Sequence, residues 1–595
     1  MARRTVILVV AACWAALSAA GARAAETTVY NVSQLRDALN AADPGDRIYM
    51  APGSYTGRLW VTDVHGTADD MIEVVALDPT NRPVFTSDDA ACFTLYNCSY
   101  VLVDGLIAEH GGTPTQDANN IEFPHGSHMV LKNALSRDLD HDGNSDGVKF
   151  ARSDNVLMYN CTVASWADGG SANDQMVSRN SLMMRNLITF PDMTPNAGAN
   201  GTQPKGDSYR NGYYKNVFLD GSSRCIQFGG AGGVDGWEGH DMVAMGNVID
   251  GGEAAAAYVS CQTCELSYNT IVDPTKWVMR ILNEGGWAET GTNTFKRNLV
   301  VYGPLSSIQN VGSGTRPETF TYAENYWYNR LDPAASIPAL PGGQTDPAGG
   351  TDPQLDADYR PLHPGAQDYG AHAPAMEAAW ARHTGSFQWA WEKAMAYEPV
   401  ADAGGRYSVA PGLSIELDAS GSVLGAASYG TNPTAAYAWD VDVDGVADDA
   451  ATTLTYDDLT GDGPGQLGLA AGLHAVELRM ARTDEYGTIL DWDLADLLVL
   501  DELIPGDASV DGTVDVLDLA ILANHFGESP AGWREGDVTG DGLVDVLDLA
   551  ALANHFGETV GGGAPAPEPS ALAFAALGAG AALLRRRRAR PEEGP

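Results

Sequence analysis

Two stretches of the chain, thirty residues apart, place oxygen ligands at a spacing that suits a hard cation. Asp507, Ser509, Asp511, Thr513, Asp515 and Asp518 form the first set; Asp537, Thr539, Asp541, Leu543, Asp545 and Asp548 form the second. They fill positions 1, 3, 5, 7, 9 and 12 of two loops, with Gly512 and Gly542 at position 6, where the backbone must turn sharply. Side-chain oxygens serve five positions, and the main-chain carbonyls of Thr513 and Leu543 serve position 7. A third run, Asp138, Asp140, Asp142 and Asp146 with Gly143, keeps the same spacing but has Lys149 at position 12. That substitution predicts a partial calcium site with open coordination. A cation there would neutralise a bound carboxylate and acidify the proton on the adjacent carbon. It would also lower the pKa of Lys149, making that lysine a base.

Elements that could hold these residues follow from composition and periodicity. The 595 residues are 44% apolar and 19% charged, too apolar for a disordered chain and long enough for several domains. Lysine and arginine total 35 against 78 acidic residues, a formal charge of −43. Such a chain repels phosphate backbones, so nucleic-acid binding is excluded, and calcium is the natural counter-charge. The 67 glycines and 31 prolines fit turn-rich β-structure. Seven cysteines, one of them in the leader, are too few for a disulfide-built scaffold.

Asparagine recurs in short alternating apolar stretches at 133, 160, 186, 216, 247, 269, 298 and 325, with Gly105 in the same place one turn earlier. A repeat of about 27 residues built from short strands predicts stacked coils, because one coil cannot bury its own inner face. Asparagine at one turn position predicts an amide ladder, and it tolerates a left-handed backbone. Counting back eleven residues gives a second column: Glu122, Lys149, Gln175, Lys205 and Tyr258, with Gln227 and Arg280 added from irregular turns. Frames such as Ile121-Glu122-Phe123 and Met279-Arg280-Ile281 send the polar residue outward. The stripe is expected to grip an extended anionic sugar chain, with Lys149, Lys205 and Arg280 as catalytic candidates and Glu122, Gln175, Gln227 and Tyr258 as substrate contacts.

Weaker candidates stand beside these. Five histidines at 65, 110, 125, 128 and 141 lack metal-ligand spacing. Asp168 and Asp174 could pair as hydrolase acid and base. Cys261 and Cys264 are read as a local disulfide or packed thiols. Trp237, Trp277 and Trp287 could stack on sugars or simply fill loops.

The ends read as addresses. Arg3-Arg4, the apolar Thr5 to Ala20 and Ala22-Arg23-Ala24 form a secretory signal over residues 1–24, removed by signal peptidase. At the other end come Pro567-Glu568-Pro569, an apolar run from Ala571 to Leu584 and four arginines, 585–588. This order resembles the bacterial PEP-CTERM sorting signal over 567–590. The resemblance implies cleavage by an exosortase and delivery to the cell surface or exopolysaccharide layer.

Other resemblances cover the body of the chain. Residues 27–374 resemble right-handed parallel β-helix proteins, the group that holds pectate-lyase-like enzymes. Val32 to Leu39 is expected to form the capping helix. Some calcium-dependent lyases of that fold use a lysine base beside an aspartate cluster. Residues 375–398 read as helix and linker. Residues 399–501 resemble a PKD domain, an Ig-like β-sandwich, on phrases such as Tyr437 to Gly445, where Asp440, Asp442 and Asp444 could bind calcium. Residues 503–560 closely resemble the type I dockerin, which implies two calcium ions and a cohesin-like partner; 561–566 is a linker. The fold expected is mainly β, with a small α-helical calcium-binding module. The implied function is a secreted carbohydrate-active protein that binds, and by β-elimination cleaves, an acidic polysaccharide. The alternatives are a non-catalytic glycan-binding adhesin or matrix protein, and a glycoside hydrolase of the same fold.

Overall fold

A computed structural model describes residues 24–560 apart from 89, 111–117, 140–142, 191–198, 220–222, 285–288, 445, 449–451 and 462–465. The leader, the 561–566 linker and the sorting segment lie outside the described residues. The chain divides into two compact units, residues up to 398 with 425–433 and 483–488, and the remainder.

The first unit is a parallel β-solenoid. Its coils build sheets of twelve, ten and twelve described strands, each strand pairing with its counterpart one coil away. The ten-stranded sheet carries the candidate chemistry. Its strands are β1 (Leu59–Thr62), β2 (Phe93–Tyr96), β3 (Ile121–Glu122), β4 (Val148–Ala151), β5 (Ser171–Met176), β6 (Asn200–Lys205), β7 (Arg224–Gly229), β8 (Ala254–Val259), β9 (Trp277–Leu282) and β10 (Gln309–Val311). They lie in sequence order, so position along the solenoid follows position along the chain. Period-two alternation buries Leu59, Val61, Ile121, Phe123, Val148 and Phe150 and turns Trp60, Glu122 and Lys149 outward. The first coil is closed by helix α1 (Val32–Ala41), capped by Asn31, whose side chain accepts the Gln34 N–H at 3.0 Å. Val32, Leu35 and Leu39 are buried, which covers an end that would otherwise expose apolar side chains.

The asparagines form two adjacent columns rather than one. Asn186, Asn216, Asn247, Asn269, Asn298 and Asn325 are fully buried and bonded in series, each side-chain N–H donating to the next Oδ1 at 2.8–3.1 Å. The main-chain N–H of each of the first five donates to that same Oδ1. Asn133 and Asn160 sit one residue earlier in the turn. They have φ of 52° and 51°, the left-handed position that Arg185, Lys215, Gly246 and Tyr268 fill in later coils. Strand pairing confirms the offset: Tyr159 pairs with Met184, so Cys161 and not Asn160 stands level with Asn186. Left-handed tolerance therefore explains Asn133 and Asn160, and amide satisfaction explains the other six.

Residues 375–398, expected as helix and linker, carry α2 (Met376–Trp380) and α3 (Gln388–Tyr397) within the solenoid unit. Trp380 is fully buried, stacked on Tyr214 at 4.1 Å, and Glu398 is ion-paired to Arg185 at 2.5 Å. The segment is a packed strap rather than a free linker.

In the second unit a four-stranded sheet and a two-stranded sheet enclose a core of Val409, Ile415, Leu417, Trp439, Val476, Leu478 and Leu497. Two helices follow, α4 (Val516–His525) and α5 (Val546–His555). They share a small core of Ile504, Val514, Leu522, Val544 and Leu552, with Leu519 and Leu549 packed against it.

Candidate functional site

Register on the ten-stranded sheet decides which side chains share the outer face. Trp60 pairs with Thr94, Thr94 with Glu122, Glu122 with Lys149, and Lys149 with Asp174. Asp174 pairs with Gln203; farther on, Gln227 pairs with Ala257 and Ala257 with Arg280. Lys205, two residues beyond Gln203, stands on the same face.

At the centre of this face four charged groups alternate in sign. Lys149 Nζ lies 2.8 Å from Asp146 Oδ2 and 3.0 Å from Asp174 Oδ2, and Lys205 Nζ lies 2.9 Å from Asp174 Oδ1. Lys205 also donates to Gln203 Oε1 at 3.0 Å. The carboxylates are buried and the lysine side chains retain 18% and 16% exposure, so solvent reaches the ammonium groups and hardly the anions. Burial and the charge of Asp174 push Asp146 up to about 6, against the pull of Lys149 and Lys205. Burial alone would lower Lys149, but Asp146 and Asp174 outweigh it and raise its pKa well above the ordinary lysine value. Without a bound cation, Asp146 and Asp174 thus hold Lys149 as an ammonium at neutral pH.

Glu122 faces the same side one strand earlier, accepting from Thr94 Oγ1 at 2.8 Å and Asn119 Nδ2 at 3.0 Å. Gln227 is also on this column, buried beneath Arg224, which donates to its Oε1 at 2.5 Å. Arg280 is on the column too, but four strands from Asp174, about 19 Å at the ordinary strand spacing, so it does not join the lysine cluster.

Gln175 and Tyr258 are corrected. Gln175 pairs with Phe150, points inward and accepts from Asn211 Nδ2 at 3.0 Å and Tyr213 Oη at 3.1 Å. Tyr258 is fully buried between Phe228 and Phe320. The offset of eleven was counted from two different columns across connections of unequal length, so from Asn186 and Asn269 it lands on inward positions and from Asn216 on the outward Lys205; a one-residue slip in a strand reverses the face. The outward residues at those coils are Asp174 and Ala257.

Sequence reasoning missed Gln203, Arg224, Arg58 and Trp60, although Leu59-Trp60-Val61 has the same apolar-x-apolar frame as Ile121-Glu122-Phe123. It also missed Glu238. That fully buried side chain accepts the N–H groups of Gly206 and Gly232 at 2.7 Å and of Gly233 at 3.1 Å, tying the 230–237 loop beside Lys205. Gly230, at the base of this loop, has φ 159°, and a Cβ there would lie 3.1–3.3 Å from Gln203, Lys205 and Gln227. A side chain at this position would press on the cluster.

The acidic run before Lys149 divides between two roles. Asp138 is an exposed partner of Arg137 at 3.4 Å. Asp146 has both oxygens engaged, Oδ1 by the Ser171 N–H at 2.8 Å and Oδ2 by Lys149. Asp140 and Asp142 lie outside the described residues. The two described carboxylates do not offer one ion a common set of free oxygens, so Asp146 is assigned to the lysine cluster.

Asp174 is likewise shared between two lysines. Cys261 and Cys264 are buried free thiols. Asp440, Asp442 and Asp444 bring carboxylate oxygens within 4.8 Å of one another, and Asp440 is also ion-paired to Arg479 at 2.8 Å.

The duplicated loops have a common internal geometry. Asp507 accepts the Asp511 N–H at 3.1 Å and the Gly512 N–H at 2.9 Å; Asp537 accepts those of Asp541 and Gly542 at 3.1 and 2.7 Å. Asp518 and Asp548 each accept the N–H at position 3, from Ser509 and Thr539, and close capping boxes with Asp515 and Asp545. Gly512 and Gly542 have φ of 83° and 85°, where a side chain would be strained. The copies clasp each other: Gly527 N–H donates to the Val544 carbonyl, and Gly557 N–H to that of Val514, at 2.8 and 2.7 Å. Burial pushes Asp507 up to about 6 despite the N–H groups of Gly512 and Asp511. Among the described residues no lysine or arginine forms an ion pair with the eight loop aspartates. The donor set of hard oxygens, lacking a counter-charge, fits calcium.

Residues 505–557 match the family of the Dockerin type I domain. No curated protein matches the chain. Solved structures similar to it include a family PL6 polysaccharide lyase from Pseudopedobacter saltans, 15% identical, covering 58% of this chain and 99% of that one, with a TM-score of 0.37. An alginate lyase from Paenibacillus is 13% identical over 49% of this chain and 99% of that chain, TM-score 0.29. A lacto-N-biosidase from Eubacterium ramulus is 11% identical over 55% and 67%, TM-score 0.35. The chain is a mainly β protein, a parallel β-solenoid followed by a C-terminal dockerin region.

Proposed function

We propose that the outer face of the ten-stranded sheet binds an acidic polysaccharide and cleaves it by β-elimination. The observation that carries this reading is the Asp146–Lys149–Asp174–Lys205 cluster, which presents two ammonium groups at the surface above buried carboxylates. In a protein of charge −43, such a site selects an anion by local field rather than by net charge. The Lys149 ammonium, whose protonated form two carboxylates favour, would neutralise a uronate carboxylate and so acidify the adjacent C5 proton. Lys205, with one carboxylate and one amide as partners, is the candidate base: as the free amine it would take the C5 proton, the C4=C5 double bond would form and the C4–O bond would break. Lys149 would then give its proton to the leaving glycosidic oxygen. Glu122, outward one strand before Lys149, would contact sugar hydroxyls, whereas Gln227 would act through Arg224, which covers it. Incubation with pectate, alginate and glycosaminoglycans tests this. Ultraviolet absorbance from unsaturated uronate should grow with at least one of them and vanish in Lys205→Ala. Binding without absorbance would leave a glycan-binding protein that does not cleave.

We further propose that residues 503–560 fold around two calcium ions. The oxygens of Asp507, Ser509, Asp511, Thr513, Asp515 and Asp518, and of Asp537, Thr539, Asp541, Leu543, Asp545 and Asp548, would hold them. The module would then dock a cohesin-like partner through the exposed, symmetry-related pairs Val516/Leu517 and Val546/Leu547. The PKD-like assignment of 399–501, export by the leader and exosortase sorting to a bacterial surface belong to the same reading.

A further inference from the structure

The column that carries the lysine pair has, near each end, an arginine braced on a tryptophan. On the approach to β1, the Arg58 guanidinium carbon lies 4.0 Å from the Trp60 ring centre. Trp60 is 38% exposed and is itself stacked on Tyr96 of β2, 5.7 Å away at 22°. On β9, the Arg280 guanidinium lies 4.9 Å from the ring centre of Trp277. Both strands are four strands from β5, which carries Asp174. At ~4.8 Å per strand, each braced arginine is about 19 Å from the cluster, and the two are about 38 Å apart.

Neither arginine is consumed by the fold. Arg280 has no hydrogen bond or ion pair among the described residues, and its buried Nε lacks a partner. Arg58 keeps 42% side-chain exposure, with its nearest carboxylate, Glu122, at 4.0 Å. A guanidinium laid on an indole keeps its fork in one plane and loses little freedom when a carboxylate docks on it. Two such groups about 38 Å apart cannot meet one small anion. They suit a chain with carboxylates at regular intervals; an extended sugar polymer advances roughly one strand spacing, ~5 Å, per unit.

We infer that Arg58 on Trp60 and Arg280 on Trp277 are terminal carboxylate clamps of a single cleft, which holds one polyuronate chain along the solenoid axis over nine strands. The inference rests on the reading that this face takes an acidic polysaccharide, and it adds the length of the occupant. Arg280 then grips the chain and takes no part in the chemistry.

The test is calorimetric binding of size-fractionated polygalacturonate and polymannuronate oligomers to the full chain with calcium present. Affinity should climb with length and level off near about eight units. Arg58→Ala and Arg280→Ala should each lose roughly tenfold for the octamer and leave the tetramer unchanged. Arg58→Lys, which keeps the charge and loses the planar fork, should recover part of the loss. Trp60→Ala, at an exposed position, should reproduce the Arg58→Ala effect without lowering the melting temperature. If long chains bind but the plateau comes at about four units and the arginine variants match wild type, the clamps are wrong while the glycan reading stands. If no polyuronate binds at any length, both fall.

Discussion

The two carboxylate-rich regions solve the same electrostatic problem in opposite ways. On the solenoid face, Asp146 and Asp174 are buried and the chain supplies its own cations, Lys149 and Lys205, at 2.8–3.0 Å. In the C-terminal loops, eight aspartates have main-chain N–H groups and one another but no lysine or arginine partner among the described residues. In the first region the described carboxylates of the cluster are ion-paired to lysines, and its exposed charge is positive. The second has a deficit of positive charge, eased at Asp507 by Arg534, that an added cation would remove. On the proposed reading, aspartate would thus serve an anion site in one place and a metal-dependent fold in the other.

The largest expected effect sharpens this contrast. In the intact chain, chelation of calcium should abolish amide protection over residues 505–557 and leave the solenoid strands protected, because binding free energy is folding free energy for a module with so small a core. Hydrogen exchange with and without chelator checks it; equal protection in both conditions would erase the distinction. In chelator, residual structure should also depend on pH. The folded pKa of Asp507, about 6, is raised above the usual carboxylate value. Its contribution is therefore fully present below about pH 4 and lost as pH rises through about 6.

The second prediction breaks the solenoid side. Asp174→Ala removes the carboxylate that separates Lys149 from Lys205. Uncompensated buried charge costs about 3–5 kcal/mol, and the residual exposure of both lysines puts this site toward the lower end. Denaturant unfolding of the variant should show that loss, together with altered glycan affinity. A change below about 1 kcal/mol would mean that the lysines relax into water and the cluster is not preorganised.

How far the sequence could be read depended on which physical rule was local. The calcium spacing, the α1 cap and the stacked coils all follow from short-range pattern, and the described strands and helices agree with the last two. The lysine column was half legible. Glu122 and Lys149 were placed by counting from Asn133 and Asn160, which occupy the left-handed turn position. Gln175 was placed by counting from Asn186, which occupies the next position along. Both positions favour asparagine, for different reasons, and no local signal separates them. Since strand parity is two, that single-residue ambiguity turned a core glutamine into a supposed surface contact and hid Asp174. Arg58 and Trp60 were missed because their significance lies in distance along the solenoid, which appears only once register is fixed.

The two asparagine positions supply a third, smaller test. Asn247 is fully buried, donates to Asn269 Oδ1 at 2.8 Å and accepts from Asn216. Asn247→Ala strands donors and acceptors on both neighbours and should cost about 1–3 kcal/mol. Asn160→Gly deletes one partly buried amide bond to Asn133 but suits the left-handed backbone, so the net change should stay within about 1 kcal/mol. Equal losses for both would argue that the columns are not distinct.

The smallest effect concerns pH on the solenoid face. Asp146, held near 6 by burial and Asp174, is the cluster member that titrates close to neutrality, while Lys149 stays charged. As pH falls through about 6 the cluster loses one negative charge and becomes a stronger anion site. A uronate ligand keeps its own carboxylate charged until well below that range. Affinity for a polyuronate should therefore rise a few-fold between pH 7 and about 5, the direction opposite to that of a site whose ligand is being neutralised. Asp146→Asn preserves shape, keeps an acceptor for the Ser171 N–H and removes the titrating group. It should bind at pH 7 as wild type does near pH 5, with a flat profile between them. Calorimetric titrations at matched ionic strength check this, since salt would otherwise mask a change of this size. If the variant keeps the wild-type slope, the titrating group is elsewhere. The alternation of charge on this face would then be a structural feature of the sheet and not the feature that sets its affinity for anions.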